Sequence, residues 1–149
     1  MSRGGLQLKD NQISLERYRP WFYAAGIYNL LWGGVNVLFP RLFFDVVGMH
    51  PLNYLPIWQV VGMFVLVYSP AYFWAARDPG RHPHLILIGL FGKLIGPIGF
   101  LWSVLTGQLP WIFGWTIVFN DLIWLPSFVG YLITVISQRR QFWSLLMGE

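Results

Sequence analysis

Two ionisable side chains, Lys93 and Asp121, stand inside long apolar runs of this 149-residue chain. A charged group at the centre of a membrane helix costs about 3 kcal/mol on insertion scales, so such residues are placed for a reason. Three amides and an indole keep them company: Asn120 beside Asp121, Asn29 in an earlier apolar run, and Gln59 and Trp124 nearby in sequence pattern. At ~1.5 Å per helical residue, Lys93 lies roughly 12 Å into the run beginning at Leu85, and Asn29 at a similar depth in the run beginning at Trp21. Asp121 lies roughly 15 Å into the run beginning at Trp111. The tight turn Gly107-Gln108-Leu109-Pro110 joins the last two runs, which brings Lys93 and Asp121 within side-chain reach. The spacing therefore predicts a buried cluster of Asn29, Lys93, Asn120 and Asp121, with Trp124 one turn further along the same face. Asn36 and Gln59, near the outer ends of consecutive runs, form a second polar pair that can share a hydrogen bond.

Several chemistries compete for the cluster. A carboxylate and an amine at one depth can hold opposed protonation states, as acid–base catalysis on a lipid, sterol or quinone would require. The same groups suit the polar head of a lipophilic ligand, or a midplane site in a small proton-coupled transporter. They also suit a static ion pair locking two helices, or a lysine snorkelling to the surface.

The elements that must position these groups are set by composition. The chain is 56% hydrophobic and only 11% charged, against about a quarter charged in soluble domains. So small a globule cannot hide that much apolar surface from water. The expected fold is therefore an all-α membrane protein: one domain, a four-transmembrane-helix bundle. The spans fall at about 21–39, 57–76, 85–106 and 111–137, each near the ~20 residues that cross the hydrocarbon. Residues 1–20 form a polar segment without a signal-peptide pattern, so the first span is expected to act as an uncleaved insertion signal. Residues 138–149 form a tail in which 141–147 reads as a short interfacial helix. Arg3, Lys9, Arg17, Arg19, Arg77, Arg81, Arg139 and Arg140, eight of the ten basic residues, fall on one side of such a bundle. The positive-inside rule puts that side, with both termini, in the cytoplasm of a cell inner (plasma) membrane. Trp21, Phe22, Tyr54, Trp58, Trp74, Trp111, Phe142 and Trp143 lie near span ends, where aromatic rings anchor at headgroup level.

Faces follow from helical periodicity. Thr116, Asn120, Trp124, Ser127, Tyr131 and Thr134 make one polar stripe, and Gly26, Asn29, Gly33 and Asn36 another. Gly92, Gly96, Gly99 and Ser103, with Gly89 beside them, read as a small-residue face for close helix approach. Pro70, Pro97 and Pro126 lack an N–H, which leaves the carbonyls of Leu66, Lys93 and Leu122 free to accept other donors.

Other chemistry is excluded or unsupported. Without cysteine there is no disulfide, iron–sulfur cluster or thiol-dependent peroxidase reaction. His50, His82 and His84 all fall in loops, so no pair of imidazoles is placed for haem within the spans. His82 and His84 read as solvated loop residues, and no metal site or cofactor is expected. Neither a phosphate-binding glycine loop, a nucleophile elbow nor a zinc-binding His-Glu-x-x-His occurs. No basic aromatic platform suits nucleic acid.

Gly92-Lys93-Leu94-Ile95-Gly96-Pro97-Ile98-Gly99-Phe100-Leu101-Trp102, then Leu109-Pro110-Trp111 and Asn120-Asp121-Leu122-Ile123-Trp124, together with Tyr28-Asn29-Leu30-Leu31-Trp32-Gly33, resemble a group of small uncharacterised four-helix bacterial integral membrane proteins. The similarity runs from about Trp21 to Tyr131, and some members carry the label alkyl hydroperoxide reductase. The resemblance implies the topology and supplies no catalytic residue. The expected function is non-enzymatic: a bundle that binds a lipophilic small molecule, or an accessory subunit of a larger membrane complex or homo-oligomer. The alternatives are an intramembrane enzyme using Lys93 and Asp121, or a proton-coupled transporter.

Overall fold

The chain is described by a computed structural model that covers the backbone of residues 14–147 and the side chains of residues 14–139. All regular structure among the described residues is helical. The elements are α1 (Arg19–Leu38), α2 (Leu42–Val47), α3 (Leu55–Arg77), α4 (Pro83–Leu105), α5 (Gly114–Asn120) and α6 (Leu125–Met147). Single 3-10 turns at Trp111–Phe113 and Leu122–Trp124 flank α5. Three stretches are long and apolar enough to cross a membrane: Leu55–Arg77, Pro83–Leu105 and Trp111–Arg139. They match the second, third and fourth expected spans within a few residues. α1 matches the first in position, but its amides and glycines leave it less apolar than these three.

α1 and α3 are the most closely associated pair, and their register is antiparallel along the whole length. Arg19 Nε donates to the Ala76 carbonyl at 2.9 Å, Ser69 Oγ to Gly26 at 2.8 Å, Asn29 Nδ2 to Val65 at 3.1 Å and Gln59 Nε2 to Val37 at 2.8 Å. Glycine makes this approach possible. A Cβ on Gly33 would stand 2.7 Å from the Gly62 carbonyl oxygen and 2.8 Å from the Leu66 nitrogen. Those are backbone atoms and cannot yield. The small residues expected to bring α4 against a neighbour act differently. Gly89 and Gly96 admit the Tyr72 hydroxyl and the Asp121 carboxylate, each 2.6 Å from where a Cβ would be, and nothing approaches Gly99 within 4 Å.

The core has two parts. The larger joins Phe22, Ala25, Tyr72, Ala75, Ile86, Trp124, Phe128 and Tyr131, with edge-to-face rings such as Phe22–Tyr131 at 5.0 Å. Tyr131 also donates its hydroxyl to the Pro79 carbonyl, fixing α6 to the α3–α4 loop. The smaller is aromatic: Phe43 and Phe44 of α2 with Trp58, packed against Trp32 and Phe113. Phe22 and Trp58 are thus core residues rather than the membrane anchors expected at those positions. Each sits close enough to a span end to suggest an anchor, but each turns inward. Trp21, Tyr54, Trp74 and Trp111 are exposed. The side chains of Phe142 and Trp143 and residues 1–13 lie outside the described residues. The backbone of 141–147 continues α6 instead of forming a separate short helix.

Candidate functional site

The fourth expected span is not one helix. α5 stops at Asn120, and Asp121 takes φ −121° and ψ −62°, outside the helical basin. The Trp124 N–H then bonds to the Asp121 carbonyl at 3.2 Å, one residue nearer than an α-helix allows. Such a break leaves backbone acceptors without helical donors, and in a membrane those must be satisfied by protein. Two side chains meet that need. The Trp124 indole Nε1 donates to the Phe119 carbonyl at 2.9 Å, and the Lys93 Nζ donates to the Asn120 carbonyl. Pro126 leaves the Leu122 carbonyl without its i+4 donor, and it accepts the Leu125 N–H instead; the interruption begins one residue earlier, at Asp121.

Lys93 and Asp121 are both buried, at 4% and 5% exposure. Among the described residues the one ion pair is Arg19–Glu16, so Lys93 and Asp121 do not touch as a salt bridge. The expectation of proximity holds only in the weaker sense that both line one cavity. The Lys93 ammonium is held by the Asn120 carbonyl and by the ring faces of Tyr72 and Phe128, with centroids 5.9 and 5.8 Å away. These faces carry the negative part of the ring quadrupole and favour a cation that has left water. Asp121 Oδ1 accepts from Asn120 Nδ2 at 3.0 Å, and Oδ2 lies over Gly96.

The cavity has a volume of about 210 Å³ and is lined by all four cluster residues, Asn29, Lys93, Asn120 and Asp121, with Tyr68 and Tyr72. Val61, Phe64 and Gly92 form an exposed rim between α3 and α4. These two helices are far less closely associated than α1 and α3. The cavity therefore opens sideways through the apolar flank of the bundle, not at its ends. Two buried acceptors in its lining have no hydrogen-bond partner among the described residues: Asn29 Oδ1 and Asn120 Oδ1. Their orientation is fixed because each amide nitrogen is already committed, to Val65 and to Asp121. A buried polar atom without a partner costs about 1–3 kcal/mol, which a donor entering the cavity would relieve.

Trp124, expected within the cluster, does not line the cavity. It stabilises the break and packs on Tyr28 at 5.6 Å. Asn36 and Gln59 do not bond to each other. Asn36 Nδ2 turns back to the Trp32 carbonyl at 2.7 Å, and Gln59 reaches Val37. Tyr68 and Tyr72, one helical turn apart on α3, were not among the expected site residues, although their spacing puts both hydroxyls on one face. Among the described residues no three His, Asp or Glu side chains come together to hold a metal. Neither a protein-family model, a curated protein nor a solved structure matches the chain.

Proposed function

We propose that the chain is a four-span membrane protein that takes a small amphiphile from the bilayer and holds its polar head between α3, α4 and the broken span. The fourth crossing is α1. It runs antiparallel to α3 from Arg19 beside Ala76 to Val37 beside Gln59, so it traverses whatever α3 traverses. Four crossings collect eight of the ten basic residues on one side, which supports an inner (plasma) membrane protein with both termini on the cytoplasmic side.

The observation that carries the binding reading is the pair of orphaned amide oxygens, Asn29 Oδ1 and Asn120 Oδ1, in a cavity open to the lipid side. Its volume of about 210 Å³ is below the roughly 300 Å³ at which pockets enclose drug-sized ligands. It suits a head of one ring or a few polar atoms, with the tail left in lipid. The unmet groups are acceptors, so the head carries a donor, either a hydroxyl or an amine.

The test uses two probes of nearly equal shape, 4-hexylphenol and 4-hexylanisole, which differ in one O–H donor. Thermal unfolding of the protein in nanodiscs should be raised by the phenol and not by the ether. The preference should be about five- to 150-fold in affinity, the range that about 1–3 kcal/mol of relieved hydrogen bonding gives. It should vanish in Asn29→Leu/Asn120→Leu. Equal response to the two probes, or to neither, would overturn the reading.

A further inference from the structure

A second, separate concavity lies between α4 and α6 at the end of the bundle that carries the α3–α4 loop. It has a volume of about 580 Å³. Its mouth holds Arg81, His84 and Arg139, and its walls are aliphatic, from Leu87 and Leu90 on α4 to Leu132 and Val129 on α6. From Arg139 back to Val129 is ten residues of helix, or roughly 15 Å. That is one leaflet of a hydrocarbon core about 30 Å thick. The groove is thus cationic at headgroup level and apolar for the depth of an acyl chain.

Among the described residues, nothing neutralises the charge at the mouth. The one ion pair among them is Arg19–Glu16, so neither Arg81 nor Arg139 meets a described carboxylate. The acidic residue nearest Arg81 in sequence, Asp78, is turned onto its own loop, where Oδ1 accepts from the Arg81 backbone N–H at 3.2 Å. Asp78 does not line the groove. Guanidinium groups are weakly hydrated forks that match phosphate oxygens two at a time. Basic pockets between membrane helices are the usual means of holding acidic headgroups.

The geometry points to a bound anionic phospholipid in this groove, its phosphate between Arg81 and Arg139 and one acyl chain along α4 and α6. This site is independent of the Asn29–Lys93–Asp121 cavity, with which it shares no lining residue.

The experiment is native mass spectrometry of the full chain in mild detergent with equimolar dioleoylphosphatidylglycerol and dioleoylphosphatidylcholine. Phosphatidylglycerol adducts should dominate by tenfold or more. Arg81→Gln/Arg139→Gln should remove that preference, and Arg81→Lys/Arg139→Lys should keep part of it. Arg77→Gln is the control: it removes a charge at the same end but from outside the groove, and should leave the preference intact. Leu132→Trp should lower retention of both lipids by filling the acyl path. Equal retention of the two lipids, an unchanged preference in the double Gln variant, or an equal loss with Arg77→Gln would each overturn the site. So would a lipid-free dimer that buries this face.

Discussion

Lys93 donates to the backbone carbonyl of Asn120 and not to the carboxylate of Asp121 beside it. The lysine therefore acts first as a cap for an interrupted helix, and only second as a charge facing the cavity. The carboxylate is left with an amide donor and the open cavity.

This arrangement predicts unequal costs for the two charges. Lys93→Met strands the Asn120 carbonyl and removes the cation that shares the cavity with Asp121, so it should destabilise the protein by about 2–4 kcal/mol. Asp121→Asn keeps the Lys93 bond and a side chain of the same size, and should cost less than about half as much. Thermal unfolding in detergent compares them. A direct ion pair would instead give similar losses, with recovery in the uncharged double variant Lys93→Met/Asp121→Leu.

The break itself depends on Trp124. Trp124→Phe keeps a ring against Tyr28 but removes the donor to the Phe119 carbonyl. It should cost about 1–3 kcal/mol. Trp58→Phe is the comparison, because the buried Trp58 Nε1 has no acceptor among the described residues. There the loss of an unsatisfied donor offsets the loss of packing, and the change should cost less than Trp124→Phe in the same unfolding assay.

Much of the site was legible because depth in a membrane helix is linear in residue number. Counting from the ends of apolar runs was enough to put Asn29, Lys93 and Asp121 at one level, and all three do line one cavity. What counting misses is local hydrogen bonding. Proline at 126 advertises a freed carbonyl at Leu122, but the ladder had already shifted at Asp121, and no residue type announces that φ. Amides on neighbouring helices look like partners, yet Asn36 found its own Trp32 carbonyl and Gln59 a backbone oxygen. A six-residue helix such as α2 is too short to show a period, so the aromatic cluster of Phe43, Phe44 and Trp58 is invisible in sequence. The glycines on α4 resemble a helix contact in sequence, because sequence cannot distinguish room for a backbone from room for a side chain.

The closest helix contact makes a sharper stability prediction. Gly33→Ala puts a methyl against the Gly62 oxygen and the Leu66 nitrogen at under 3 Å, so α1 and α3 must separate. A cost of about 1–3 kcal/mol is expected, with the Asn29–Val65 and Ser69–Gly26 bonds stretched. Gly34→Ala meets nothing within 4 Å and gains helix propensity, so it should be neutral or stabilising by up to about 1 kcal/mol. In a single unfolding experiment Gly33→Ala should lose stability and Gly34→Ala should not.

Topology can be read directly because the chain has no cysteine, so single cysteines can be introduced without a background. If α1 crosses the membrane with α3, Asn53→Cys in the α2–α3 loop and Gln108→Cys in the turn after α4 face one side. Gly80→Cys in the α3–α4 loop and Ser14→Cys before α1 face the other. A membrane-impermeant maleimide on intact cells should label the first pair, and the second only after permeabilisation. Labelling of Ser14→Cys together with Asn53→Cys would leave α1 on one side and reduce the spans to three.

Gly96 separates the cavity from the fold around it. A Cβ there would stand 2.6 Å from Asp121 Oδ2, the free end of a side chain and not backbone, so the carboxylate can swing aside while the helices stay in place. Gly96→Ala should therefore leave the unfolding temperature within a few degrees of the parent, since the strain is relieved by one rotamer change of about 1 kcal/mol. The space Asp121 moves into is the cavity, so 4-hexylphenol affinity should fall about tenfold, equivalent to roughly 1.4 kcal/mol. Gly99→Ala, three residues along the same helix with nothing within 4 Å, should alter neither quantity. A Gly96→Ala protein that unfolds early would mean that the carboxylate is locked in place, and that this glycine serves the bundle and not the cavity.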